Sequence, residues 1–193
     1  TFALELVGAL FLSGLWSDKP FFEQAYQSVF HSVSAFCNAG FSLTVTGDSF
    51  TPLANRWQTL GVLPVLIIVG GLGFAVLYNA GLAAGSRIHT LRNPPLFRLP
   101  QDRIRLTVST KIVLMTSAAL LFVGTVGYYL LESTSGDTSR TPTSLLGEAW
   151  FQSVTFRTAG FNTVDLGELQ PATKLFAVLL MFIGSSPGST GGG

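Results

Sequence analysis

The sequence predicts an all-α integral membrane protein made of two tandem copies of one unit: a spanning helix, a short helix that enters the bilayer and turns back, and a second spanning helix. Three observations predict it. Charge is scarce, with eleven Lys and Arg and ten Asp and Glu in 193 residues, or 11%, against roughly 25% in soluble domains. The charges are clumped and leave uncharged runs of 30 residues at 57–86, 20 at 112–131 and 19 at 175–193, where about 20 apolar residues suffice to cross the hydrocarbon core. The chain also matches itself at a shift of 120 residues. A soluble globule of this length needs a charged coat that these side chains cannot supply. Soluble enzymes, nucleic-acid binders and disordered tails are thereby excluded.

Taken in order, residues 2–15 are apolar except for Glu5 and read as a first span. Ser17-Asp18-Lys19-Pro20 breaks it. Residues 21–36 are aromatic but too short to cross, and a turn at 37–42 follows. Residues 57–84 read as a full span that closes a first unit, 1–84. The segment 85–111 holds six of the eleven basic residues, Arg87, Arg92, Arg98, Arg103, Arg105 and Lys111, opposed only by Asp102. Basic loops stay in the cytoplasm, so this one is expected there, with Asp18, Asp48, Glu132, Asp137, Asp165 and Glu168 outside. The second unit, 112–193, repeats the order: a span at 112–131, a polar loop, a short helix at 145–156, a turn at 157–162 and a span from 173 that Gly184–Gly193 breaks.

The two short segments carry the information. Were 21–36 to cross the membrane, the basic loop would emerge on the wrong side; if it enters and returns, the signs agree, and the same holds for 145–156. Asp18 and Thr141 are candidate N-caps, with Pro20 and Pro142 at the first turn. The repeat is densest just after these helices, where Phe36-Cys37-Asn38-Ala39-Gly40-Phe41 aligns with Phe156-Arg157-Thr158-Ala159-Gly160-Phe161. Non-helical backbone at membrane depth survives only where protein buries it or where it lines a watery cavity. Such backbone can offer main-chain carbonyls to a dehydrated cation. The predicted ion-binding residues are therefore Asn38, Ala39, Gly40, Thr158, Ala159 and Gly160, acting through their carbonyls. Gly40 and Gly160 supply the unusual backbone angles, and the C-terminal ends of the short helices supply negative potential.

At these residues the chain resembles the Trk/Ktr/HKT cation transporters. Phe30–Leu43 is similar to the second selectivity filter of that family and Phe151–Thr163 to the third, and the resemblance extends over the whole chain, closest to the membrane subunit of bacterial Ktr-type systems. Phe156 departs from the family pattern, which has Thr there. The resemblance implies a pseudo-fourfold pore of four such repeats, of which this chain would hold two as an internal piece of a longer protein. It implies potassium as the transported ion, often with sodium stimulation, and no cofactor in this chain. The implied partners are the remaining repeats, a second copy in a homodimer, a cytosolic nucleotide-binding regulatory subunit and the bilayer of a bacterial inner membrane; nucleic acid is not among them. It also places an intramembrane gate at Gly184, Ser185, Ser186, Pro187, Gly188, Ser189, Thr190, Gly191, Gly192 and Gly193. The residues agree, because a Gly/Ser/Pro stretch at mid-span cannot remain helical. A carrier of sodium, or of both ions, working by alternating access is the alternative.

Other features have plainer readings. Gly70, Gly71 and Gly73 are expected to serve close helix packing. Arg157 either tunes ion occupancy or, as the default, pairs with Glu148, Asp165 or Glu168, or snorkels. His31 reads as a packed or hydrogen-bonded residue, and Cys37, the only cysteine, as a small filler that leaves no disulfide or cysteine metal site. Asp48 and Glu168 read as a solvated outer face. Gly184-Ser185-Ser186-Pro187-Gly188 has the letters of a nucleophile elbow but follows a membrane helix rather than a strand, so an enzyme is not expected.

Overall fold

The computed structural model describes residues 2–44, 49–92, 106–134 and 140–191, with the backbone alone at 87–92. Most of the basic segment lies outside these residues, as do Asp48, Asp137, Gly192 and Gly193. Among the described residues the regular structure is all helical, without strands. The first unit comprises α1 (Phe2–Leu12), extended by a 3₁₀ turn at Ser13–Trp16, α2 (Phe21–Phe36), and α3 (Leu63–Leu72) with α4 (Phe74–Arg92). The second comprises α5 (Val108–Ser133), α6 (Pro142–Thr155) and α7 (Pro171–Ile183).

Helix lengths separate the elements. At 26 residues, α5 is about 39 Å long and is apolar enough to cross a membrane. At 16 and 14 residues, α2 and α6 reach only about 24 and 21 Å. α6 starts at Pro142, where the expected Thr141 cap puts it and three residues ahead of the segment 145–156: Thr141 accepts from the Ser144 N–H at 3.2 Å. Asp18 does not cap α2; Pro20 occupies that position and no side chain bonds there.

Residues 57–84 do not form the one continuous span expected of them. A π-helical turn at Gln58–Val62 leads into α3, the helix stops at Leu72, and α4 departs at 102°. The cause lies at Gly73, whose φ of 84° is left-handed and open cheaply to glycine alone. A Cβ at Gly73 would also sit 3.0 Å from the carbonyl oxygen of Gly188. Gly70 is a packing glycine, since a Cβ there would collide with the carbonyl of Phe36.

One packing device recurs in both units. Ser32 of α2 donates to the Glu5 carbonyl of α1 at 2.6 Å, and Ser153 of α6 donates to the Leu121 carbonyl of α5 at 2.8 Å. Each serine lies against a glycine on the partner helix, Gly8 or Gly124, whose missing side chain admits the hydroxyl. The units join where Trp150 Nε1 donates to the Leu60 carbonyl at 3.0 Å, and around a buried core that includes Leu63, Phe50, Phe151 and Phe161. The interior also buries polar side chains such as Gln152, Ser153 and Thr173, while Phe2, Phe22 and Phe182 project outward.

Candidate functional site

α2 and α6 each end in the same kind of loop. In the first, Asn38 and Gly40 take left-handed backbone angles, φ 52° and 72°; in the second, Thr158 and Gly160 do, both at φ 79°. Alternation between left-handed and ordinary residues turns successive carbonyls toward one side of the chain, the arrangement a carbonyl-lined ion site needs. Glycine was the legible half of this pattern. Asn tolerates the left-handed region, whereas a β-branched Thr there is an outlier, and nothing in the sequence announces that angle at Thr158.

The loops are held from behind. Ser34 Oγ donates to the Phe41 carbonyl at 2.9 Å and Thr155 Oγ1 to the Phe161 carbonyl at 2.7 Å, so a hydroxyl from the last turn of each short helix fixes the loop's exit. His31 braces the first loop. Its Nδ1 lies 2.7 Å from the Gln27 carbonyl, which only accepts, so Nδ1 carries the proton and Nε2 accepts from the Leu43 N–H at 3.2 Å. Trp16 stacks on His31 at 4.8 Å, and edge contacts run from His31 to Phe50 and from Phe50 to Phe161, tying the braces of both loops together. The Phe50 N–H donates to the Asn162 carbonyl at 2.8 Å, and the Asn162 N–H to Ser49 Oγ at 3.1 Å.

The loops face each other through their glycines. A Cβ on Gly40 would lie 2.5 Å from the Ala159 carbonyl oxygen and 2.9 Å from Gly160 Cα. Of the residues singled out in the first loop, Asn38 is buried, Ala39 exposed and Gly40 half-buried; in the second, Ala159 is buried while Thr158 and Gly160 are exposed.

The Gly/Ser stretch seats directly on both loops. α7 stops because Gly184 turns left-handed, φ 68°. Ser185 Oγ is 3.2 Å from the Arg157 carbonyl and 2.9 Å from Thr158 Oγ1. The Ser186 hydroxyl reaches the carbonyls of Gly71 and Leu72, each at 2.8 Å. Thr190 Oγ1 donates to the Phe36 carbonyl at 2.8 Å, supplying a partner to the last carbonyl of α2. Pro187 and Gly188 are exposed and Ser189 half-buried; Gly191 packs against Ser185 Oγ.

Arg157 has none of the carboxylate partners expected for it. Glu148 lies 3.6 Å from Arg140 instead, Asp165 accepts from the Gly167 N–H at 2.7 Å, and Glu168 is exposed. Arg157 is 9% exposed, and its guanidinium donates to the Gly184 carbonyl at 3.4 Å and to Ser117 Oγ at 3.2 Å. It sits just past the end of α6 and against the end of α7. A helix C-terminus presents roughly half a negative charge, and the Gly184 carbonyl at the end of α7 brings part of that charge to the guanidinium. Among the described residues no three His, Cys, Asp or Glu side chains come together, and the polar groups gathered at the loops are carbonyl, hydroxyl and amide oxygens, ligands suited to alkali cations.

Two short helices thus end in facing loops with left-handed residues, and a glycine-rich stretch packs against both. The chain belongs to the TrkH family of cation transport proteins, whose profile matches residues 2–193. That is a family of transporters, not enzymes. The chain is similar to the Ktr system potassium uptake protein B of Vibrio alginolyticus, at 37% identity over 200 residues, covering 100% of this chain and 40% of that protein. It is also similar to the potassium/sodium uptake protein NtpJ of Enterococcus hirae, at 34% identity over 194 residues, covering 98% of this chain and 38% of the relative. The potassium transporter TrkH from Vibrio parahaemolyticus shares the fold, with a TM-score of 0.65 at 22% identity over 100% of this chain and 36% of its own. The chain thus spans about two-fifths of the length of the curated relatives it matches.

Proposed function

We propose that this chain forms two adjacent quarters of a membrane-embedded potassium pore, with residues 38–40 and 158–160 as two of its filter loops and 184–193 as an intramembrane gate. The observation that carries the reading is the repeated left-handed alternation in two loops whose glycines meet. The carbonyls gathered there replace a cation's water shell. The C-terminal ends of α2 and α6, aimed at the loops, add negative potential. The polar interior and apolar exterior suit a lipid surrounding. With Ser185 on one loop and Thr190 on the other, the stretch bridges the base of both, where it obstructs passage until displaced. The names of the relatives support potassium as the principal ion, with sodium as a second candidate. The same reading supplies the partners: the remaining repeats of the full-length protein, a second copy, and a cytosolic nucleotide-binding regulator.

The test is Gly160→Ser in the full-length protein, read as potassium and sodium uptake. The strained loop is expected to lose preference for potassium over sodium. An unchanged ratio in a well-folded variant refutes the filter assignment.

A further inference from the structure

Arg157 brings more donors to its surroundings than the structure uses. The side chain is 9% exposed, and its bonds to the Gly184 carbonyl and Ser117 Oγ take up two of its five N–H groups. Ser117 is buried too; its oxygen accepts from the guanidinium, and its own proton has no acceptor among the described residues. Both side chains line one small cavity where α3, α5 and α6 meet the start of the glycine-rich stretch. Its volume is about 10 Å³, room for a single guest the size of a water. Ile68, Leu121 and Val154 give it an apolar wall, and Gly71 and Ser185 also line it. The Gly71 carbonyl already accepts from the N–H and the hydroxyl of Ser186, and the Ser185 hydroxyl is engaged with the Arg157 carbonyl and Thr158 Oγ1. The cavity is therefore rich in unused donors. It is also positively charged, since no carboxylate among the described residues pairs with Arg157. A buried charge left unpaired is costly, and the carbonyl at the end of α7 offsets only part of it.

We infer that this cavity binds a monatomic monovalent anion, a halide, held by the guanidinium of Arg157 and the hydroxyl of Ser117. Size admits one atom and excludes sulfate or phosphate. Charge and donor count separate a halide from water. A water accepting from both groups would still have two protons to place beside Ile68, Leu121 and Val154, whereas a halide has none and supplies the missing countercharge. The anion lies at the seam between the loop that begins at Arg157 and the stretch that carries Ser185, so it neutralises the guanidinium where these two segments join. The inference goes beyond the pore reading and does not depend on it.

The experiment is thermal unfolding of the full-length protein in detergent, at fixed potassium concentration and ionic strength, with potassium chloride or bromide exchanged for potassium gluconate. Crystals grown in bromide accompany it. The unfolding midpoint is expected to rise with halide concentration and to saturate, with no rise in gluconate, and the anomalous signal of bromide should fall between Arg157 and Ser117. Ser117→Ala removes one donor and keeps the charge; it should weaken the apparent halide affinity about tenfold, as loss of one bond to a charged group implies. Gly71→Ala keeps both donors and sets a methyl group 3.3 Å from Ser185 Oγ, another lining atom; by taking up the space it should abolish the halide effect. Arg157→Gln removes the charge and should abolish it as well. Equal midpoints in chloride and gluconate, or an undiminished halide response in a folded Arg157→Gln protein, overturn the inference. Should that variant fail to fold, a wild-type response in Ser117→Ala overturns it instead. Density at this position without a bromide signal means that water fills the cavity, which also overturns it. Ion uptake by Gly160→Ser tests the pore reading separately, so either can fail alone.

Discussion

Gly40 and Gly160 align in sequence and share left-handed angles, yet they are not equivalent in space, and this predicts unequal effects of one substitution. At either position Ser meets the backbone penalty of about 1–2 kcal/mol that any L side chain incurs in the left-handed region. A Cβ on Gly160 meets only Gly40 Cα, at 3.4 Å, an ordinary contact. A Cβ on Gly40 meets the Ala159 carbonyl oxygen at 2.5 Å and Gly160 Cα at 2.9 Å. Both are backbone atoms, which cannot rotate aside as a flexible side chain could. To relieve the contact the loops must part by roughly 1 Å, a shift that a close-packed interior resists. In the proposed filter, carbonyls displaced by that much would no longer fit a potassium ion, whereas backbone strain confined to Gly160 would bend one loop and leave its neighbour in place. Gly40→Ser should therefore reduce the potassium-to-sodium uptake ratio at least about tenfold more than Gly160→Ser, equivalent to 1.4 kcal/mol or more of extra lost discrimination. The assay is competitive uptake of the two ions by full-length variants of matched expression. Equal losses, or a larger loss at Gly160, would refute the argument that the loops are in backbone contact at Gly40.

Two further outcomes follow from the packing. Deleting Ser185–Gly191 removes every bond that seats the stretch on Phe36, Gly70, Gly71 and Arg157, so resting ion flux through the full-length protein should rise; unaltered flux in a well-folded deletion would show that these residues do not obstruct the pathway. Gly124→Val puts a side chain where Ser153 Oγ now lies against α5, with Ser153 Cβ only 3.1 Å from the new Cβ; overpacking of this kind costs about 1–3 kcal/mol, and thermal unfolding in detergent should occur at a lower temperature, with Ser153→Ala partly relieving the shift.

The elements legible in the sequence are those set by local composition. The uncharged run at 112–131 lies within one helix, α5, as its composition implies, and a Gly-Ser-Pro stretch cannot continue α7. Gly40 and Gly160 were legible for the same reason, since few other residues reach their angles at low cost. The unread features depend on partners distant in the chain. Three glycines at 70, 71 and 73 inside an apolar run look alike by periodicity, yet Gly73 breaks the helix with its left-handed φ and leaves room for the Gly188 carbonyl, while Gly70 packs against Phe36. Arg157 looked in need of a carboxylate, because a sequence does not show that the Gly184 carbonyl at the end of α7 and Ser117 Oγ meet its guanidinium. Thr190 and Asn38 are 152 residues apart, and nothing in either neighbourhood announces their bond. These three misses share a cause: the second unit's broken helix folds back under the first unit's loop, and one polypeptide stretch satisfies backbone groups of α2, α3 and α6 together. An element that partners three helix ends cannot move without leaving all three exposed. The glycine-rich stretch should therefore leave as a single unit, so that loss of its contact at Thr190 also weakens those at Ser185 and Ser186.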